Sequence, residues 1–89
     1  VARKHVIVTG RVQGVGFRYS ACREAIRRGV GGYARNLSDG TVEIELEGDD
    51  AEVAEMLDWL AVGPLGSKVA QLKVDDMVDL GETEFTVRR

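Results

Sequence analysis

Between residues 10 and 18 the chain reads G-R-V-Q-G-V-G-F-R, a run whose residue types suit the capture of a small anion. Gly10, Gly14 and Gly16 permit positive φ and let a ligand approach the main chain, because no Cβ stands in the way. Several N–H groups can then converge on one point. A helix starting at Phe17 would add unpaired first-turn N–H groups and the positive end of its dipole. Arg18 would bring a full charge on a planar fork of donors, and the resulting concavity fits a phosphate group. A plain tight turn with a solvated Arg18 accounts for the same residues, and local physics leaves both readings open. Two phosphate motifs are excluded by spacing. No Lys follows a glycine in the register of a Walker loop, and a dinucleotide fingerprint begun at Gly14 and Gly16 would need glycine or alanine where Tyr19 stands.

Other sets of reactive side chains are weaker. Cys22 and Arg28 have the C-x5-R spacing of cysteine-dependent phosphatases. The residues between them, Arg23-Glu24-Ala25-Ile26-Arg27, are good helix formers whose N–H groups would be occupied rather than turned on a phosphate. Cys22 reads instead as a small apolar residue packed on a helix. His5, the only histidine, stands at the opposite end of its strand from the glycine run and reads as bystander surface. Ser20 has no histidine partner in the pattern. Glu43, Glu45 and Glu47 alternate as a solvated strand face requires, and no residue set has metal-site spacing, so neither metal nor cofactor is expected. Residues 14–19 (G-V-G-F-R-Y) bear a faint likeness to an RNA-recognition strand motif. They lie in a loop, however, and the exposed sheet face carries glutamates where stacking aromatics would be needed.

Periodicity outlines the elements that must position the glycine run. Residues 5–10, H-V-I-V-T-G, are short and β-branched and predict a buried strand. A helix follows from Phe17 to about Arg28, with Ala21, Cys22, Ala25 and Ile26 on its apolar face and Gly29, Gly31 and Gly32 ending it. Strands over 33–37 and 41–47, joined by Ser38-Asp39-Gly40, form a hairpin. The second of these places Val42, Ile44 and Leu46 inward and predicts a wet, acidic opposite face. Asp49 or Asp50 caps a second helix, with Glu52 completing a capping-box pattern. Its core stripe is Val53, Met56, Leu57 and Leu60, and Gly63-Pro64 stops it. A fourth strand over 68–74 turns Ala70, Leu72 and Val74 inward, and a short last strand over 84–88 does the same with Phe85 and Val87.

The order β-α-β-β-α-β plus a terminal strand predicts an α+β, ferredoxin-like sandwich, with two helices on one face of a mostly antiparallel sheet. Right-handed crossovers make the first and third strands central. The glycine run then opens near the end of the second strand, within reach of Arg35, Asn36 and Leu37.

Eighty-nine residues make one domain, spanning 1–89, and 44 percent hydrophobic residues suffice for a small core. A single cysteine excludes an intrachain disulfide and fits a reducing compartment, so a cytoplasmic protein is expected. No apolar run approaches a membrane span, and the opening Val1-Ala2-Arg3-Lys4 lacks a signal peptide's apolar segment. The net charge of −3 argues against general attraction to nucleic acid. Cationic residues crowd the first half, Arg3, Lys4, Arg11, Arg18, Arg23, Arg27, Arg28 and Arg35 among them, whereas the acids concentrate from Asp39 onward. An anion site belongs to that first half.

With these residues in place, the chain resembles the acylphosphatases, small cytoplasmic enzymes that hydrolyse the carboxyl-phosphate bond of acyl phosphates. V-Q-G-V-G-F-R, residues 12–18, looks like the family's first signature, and G-Y-A-R-N-L-S-D-G-T-V-E, residues 32–43, like its second. The separation of Arg18 from Asn36, the position of Gly63-Pro64 and the late Phe85 also fit. The resemblance implies that Arg18 and the N–H groups of Val12, Gln13, Gly14, Val15, Gly16 and Phe17 hold the phosphoryl group. It also implies that Asn36 positions the attacking water, whose proton passes to a phosphate oxygen. It makes an acyl phosphate the substrate and inorganic phosphate the product and inhibitor, with no nucleic acid or membrane partner and a monomer expected. One departure is Tyr33, where family members usually carry Trp. The reading from another class is a non-catalytic ferredoxin-like module that binds phosphate or a metabolite or serves a regulatory role.

Overall fold

A computed structural model describes residues Val1–Arg89. The elements are β1 (Ala2–Arg11), α1 (Phe17–Arg28), β2 (Gly31–Asn36), β3 (Val42–Gly48), α2 (Asp50–Val62), β4 (Lys68–Met77) and β5 (Phe85–Arg88). They build one five-stranded sheet in the order β4-β1-β3-β2-β5, antiparallel except where β5 lies parallel to β2. Both helices pack on one face of this sheet, so the fold is the ferredoxin-like α+β sandwich with an added C-terminal strand. Val6, Val8, Ile44 and Leu46 from the sheet meet Phe17, Ala21, Met56 and Leu60 from the helices in a continuous core.

Helix α1 runs over the expected residues, and the Gly29 cap is left-handed, with the Val30 N–H donating to the Ala25 carbonyl beyond it. Ile26 does not join the apolar face and is 65% exposed. Gly31 and Gly32 are strand residues, not helix terminators. A Cβ at Gly32 would stand 1.9 Å from the Glu45 carbonyl oxygen, so glycine is what lets β2 lie so close to β3. Strand β2 thus begins two residues before its expected start and ends one residue before its expected end, at Asn36. The hairpin turn forms as expected, with Asp39 accepting hydrogen bonds from the Thr41 N–H and hydroxyl. In α2 the cap residue is Asp49, but its side chain makes no capping hydrogen bond, and the predicted capping box is not formed.

Strand β4 corrects the expected alternation. Its register against β1 slips between Thr9 and Gly10, so that Thr9 opposes Gln71 while Gly10 opposes Val69 and Ala70 is the extra residue. The bulge leaves Ala70 exposed and lets Val69 and Leu72 both pack on the core. Val74 shares the inner face with Val6, its partner in register, yet stays 41% exposed because β4 is an edge strand.

The outer sheet face is acidic but not wet. Glu45 and Glu47 are buried, as is Arg3, whose strand begins earlier than the apolar run suggests. The Arg3 guanidinium donates to Glu45 at 2.5 and 2.9 Å, to Glu47 at 2.7 Å and to Glu82 at 2.7 Å. The segment between β4 and β5 closes over this cluster, with the Leu80 and Gly81 N–H groups donating to Glu47. Burial works against the Arg3 charge, but the hydrogen bonds it donates to Glu47, Glu82 and Glu45 overcome it and raise its pKa above the ordinary guanidinium value.

Candidate active site

The glycine run lies between β1 and α1, as its residues predict. Gly14 and Gly16 take left-handed φ of 75° and 74°, and Gly16 is the N-cap of α1. No side chain caps the helix and no acidic residue occupies its first turn. From Val12 to Tyr19 no N–H finds a main-chain acceptor, and the first such bond is Ser20 N–H to Gly16. A row of main-chain donors and a positive helix end are thus left without main-chain partners beside one hollow. That hollow is a cavity of about 150 Å³ lined by Val12, Gly14, Gly16, Phe17, Arg18, Tyr19 and Asn36.

Buried side chains on either flank hold the loop in shape. Phe17, 1% exposed, packs edge-on against Trp59 of α2 with ring centroids 6.0 Å apart, which pins the start of α1. Val12 is equally buried, and Val15 packs against the core from the loop itself. The Gln13 amide donates to the Leu37 carbonyl at 2.8 Å and to that of Thr41 at 2.9 Å. This clamp binds the loop to the end of β2 and so brings Asn36 to the cavity wall. Sequence reasoning assigned Gln13 only a main-chain role, and its side-chain role depends on a hairpin more than 20 residues away, as the separations of 24 and 28 in those bonds state.

Arg18 and Asn36 line the same cavity, both half-buried. Arg18 Nη1 donates to the Arg88 carbonyl at 2.8 Å, which fixes the guanidinium while leaving its other nitrogens for a ligand. The Asn36 main chain pairs with Val42 in the sheet, while its side chain has no hydrogen-bond partner within the chain and is available to a small polar molecule at the cavity. Of its neighbours, Leu37 contributes only its carbonyl to the Gln13 clamp, and Arg35 turns to the other sheet face, where it pairs with Glu43 at 2.7 Å.

The weaker candidates separate from this hollow. Cys22 and Arg28 both lie within α1, with Cys22 Sγ 3.7 Å from the Phe85 carbonyl and Arg28 bridging Glu24, Glu52 and Glu55. No loop of free N–H groups surrounds that thiol. His5 is not bystander surface, since its Nε2 is 2.9 Å from Glu43 on the covered outer face. Burial works against the Glu43 charge, but the His5 contact and the Arg35 charge overcome it and hold the carboxyl below its ordinary range. Tyr33 fills the strand position expected for a large ring. Its hydroxyl donates to Glu45 at 3.0 Å and the Arg88 guanidinium lies 3.9 Å above its ring. Burial and the Glu45 carboxylate raise the Tyr33 pKa. No helix is long and apolar enough to cross a membrane.

The family model described as Acylphosphatase matches residues 4–87. Among curated relatives, an acylphosphatase of Bifidobacterium longum is 47% identical over 100% of this chain and 94% of its own length. One from a Nocardioides species is 52% identical over 93% of this chain and 84% of its own. Among solved structures, the acylphosphatase from Bacillus subtilis superposes with a TM-score of 0.95 at 36% identity, with 100% of both chains covered.

Proposed function

The chain belongs to the acylphosphatase family, and from that premise we propose how it hydrolyses the carboxyl-phosphate bond of acyl phosphates. The phosphoryl group sits in the glycine-loop hollow, held by Arg18 and by the N–H groups of Val12, Gln13, Gly14, Val15, Gly16 and Phe17. Asn36 orients a water for in-line attack on phosphorus. Phosphoryl transfer passes through a loose transition state with charge spread over equatorial oxygens, so positioning and preorganised donors suffice without a strong base. Attack forms the new P–O bond as the acyl P–O bond breaks. The bonding pair leaves on the carboxylate, and both water protons end on phosphate oxygens as dihydrogen phosphate. Neither metal nor cofactor takes part, because Arg18 and the main-chain dipoles neutralise the anion. The observation that carries this reading is the stretch of N–H groups without main-chain acceptors beside one cavity that Arg18 and Asn36 both line.

The same reading takes the protein as a cytoplasmic monomer acting on a small molecule, in keeping with its single cysteine and modest negative charge. Hydrolysis of acetyl phosphate in excess chelator tests the assignment, with inorganic phosphate as a competitive inhibitor. A requirement for added Mg²⁺, or inhibition that leaves the apparent substrate affinity unchanged, would contradict it.

A further inference from the structure

The hollow that receives the phosphoryl group is small. Its volume of about 150 Å³ lies well below the ~300 Å³ at which pockets for drug-sized ligands begin, so the acyl group stays at its mouth. In-line attack places the breaking P–O bond opposite the water, so the acyl group points away from the attacking molecule. What it meets there depends on the side chains of the rim. Gly14 and Gly16 have none, and a Cβ at either would meet no atom within 4 Å, which leaves that side as open backbone. Val12 and Phe17 turn into the core, and on the hydrolase reading Arg18 and Asn36 are taken up by phosphate and water.

Tyr19 is the remaining lining residue. It sits on the first turn of α1, off the face that buries Phe17, Ala21 and Ala25, and is 61% exposed. The ring lies beside the Arg18 guanidinium, whose Cζ is 5.8 Å from its centroid, at the edge of the anion hollow. A large aromatic surface held in water next to a ligand cavity contributes nothing to the core that would account for it there.

We propose that Tyr19 is a specificity-determining residue whose ring receives the acyl group, favouring flat aromatic acyl phosphates over small ones. This rests on the acyl phosphate hydrolase reading. Contact with the acyl group and not the phosphate means that the Tyr19 contribution enters kcat/KM for an aromatic substrate and leaves phosphate binding alone. The ring face, not the hydroxyl, makes the contact, so phenylalanine serves equally.

The test compares benzoyl phosphate with acetyl phosphate on the wild-type protein, Tyr19→Ala and Tyr19→Phe, together with inhibition by inorganic phosphate. Tyr19→Ala is expected to lose about 3- to 10-fold in kcat/KM for benzoyl phosphate, with acetyl phosphate turnover and phosphate inhibition within about two-fold of wild type. Tyr19→Phe is expected to match the wild type on both compounds. An equal loss on both compounds, or a parallel loss of phosphate inhibition, would show Tyr19 acting through Arg18 and overturn the proposal. Unchanged benzoyl phosphate turnover in Tyr19→Ala would overturn it as well. A wild-type protein that cleaves neither compound would overturn the hydrolase reading itself, a failure distinguishable from the others because it precedes any substitution.

Discussion

Arg18 Nη1 donates to the Arg88 carbonyl at 2.8 Å, so the first turn of α1 is tied to the last strand of the sheet. Arg88 is itself held by its guanidinium over the Tyr33 ring, 3.9 Å from the centroid. Strand β5 thereby orients the fork of Arg18 from one side while the glycine loop presents its donors from the other.

A fork held this way predicts that Arg18→Lys fails nearly as badly as Arg18→Ala. An ammonium is a point charge and cannot grip two phosphate oxygens while bonding a carbonyl. Both variants should lose about 100- to 1,000-fold in turnover, with weaker inhibition by inorganic phosphate. Steady-state hydrolysis of acetyl phosphate measures this, and a near-normal rate in the lysine variant would refute the bidentate role.

Asn36 should separate binding from chemistry. Asn36→Ala leaves Arg18 and the loop donors in place, so inorganic phosphate should bind about as before, whereas a misplaced water costs on the order of 100-fold in kcat. Calorimetric phosphate affinity read beside turnover decides the matter. A loss of affinity as large as in Arg18→Ala would make Asn36 part of the anion grip.

The buried ion cluster sets an acid limit on stability. The Leu80 N–H, against the opposing pull of burial and with help from Arg3 and the Gly81 N–H, holds the Glu47 carboxyl below its ordinary 4.5. The unfolded chain protonates Glu47 near that value and the folded chain only at lower pH. Its stabilisation is therefore complete above the unfolded value and is lost as pH falls through the folded one. Glu47→Gln should lower stability at neutral pH and flatten the fall in urea midpoint as pH drops below the ordinary carboxylate range. Arg3→Met, which strands buried carboxylates, should cost about 3 to 5 kcal/mol. An acid slope unchanged in Glu47→Gln would show that other carboxylates govern it.

Two glycines should respond differently to alanine. At Gly16 a Cβ meets open space and only the left-handed φ opposes it, a penalty of about 1 to 2 kcal/mol. At Gly32 the Cβ would collide with the Glu45 carbonyl of a central strand, and a loss beyond about 4 kcal/mol is expected. Thermal denaturation compares them. Equal melting temperatures would mean that β2 can move away from β3 without cost.

The sequence alone determined the order of elements, both ends of α1, the inward set of β3 and the two segments that form the site. The elements and the glycine run rest on short-range physics: the 3.6 and 2.0 periods of buried residues, glycine at a positive-φ N-cap, and a turn residue that bonds its own neighbour; the role of Asn36 came from the family resemblance. The tertiary structure decided everything that requires a partner distant in the chain. Alternation told that Glu45 and Glu47 share a face opposite Ile44 and Leu46. It could not tell that Arg3, 42 and 44 residues away, and the segment carrying Leu80, Gly81 and Glu82 would cover that face. The bulge opposite Gly10 likewise moved Ala70 outward and Val69 inward, because register belongs to a strand pair and not to a strand. At the site, the residue types of Arg18 and Asn36 were legible from the motifs. Their convergence depends on the Gln13 clamp to Leu37 and Thr41 and on the Arg88 carbonyl, long-range hydrogen bonds that no local pattern encodes.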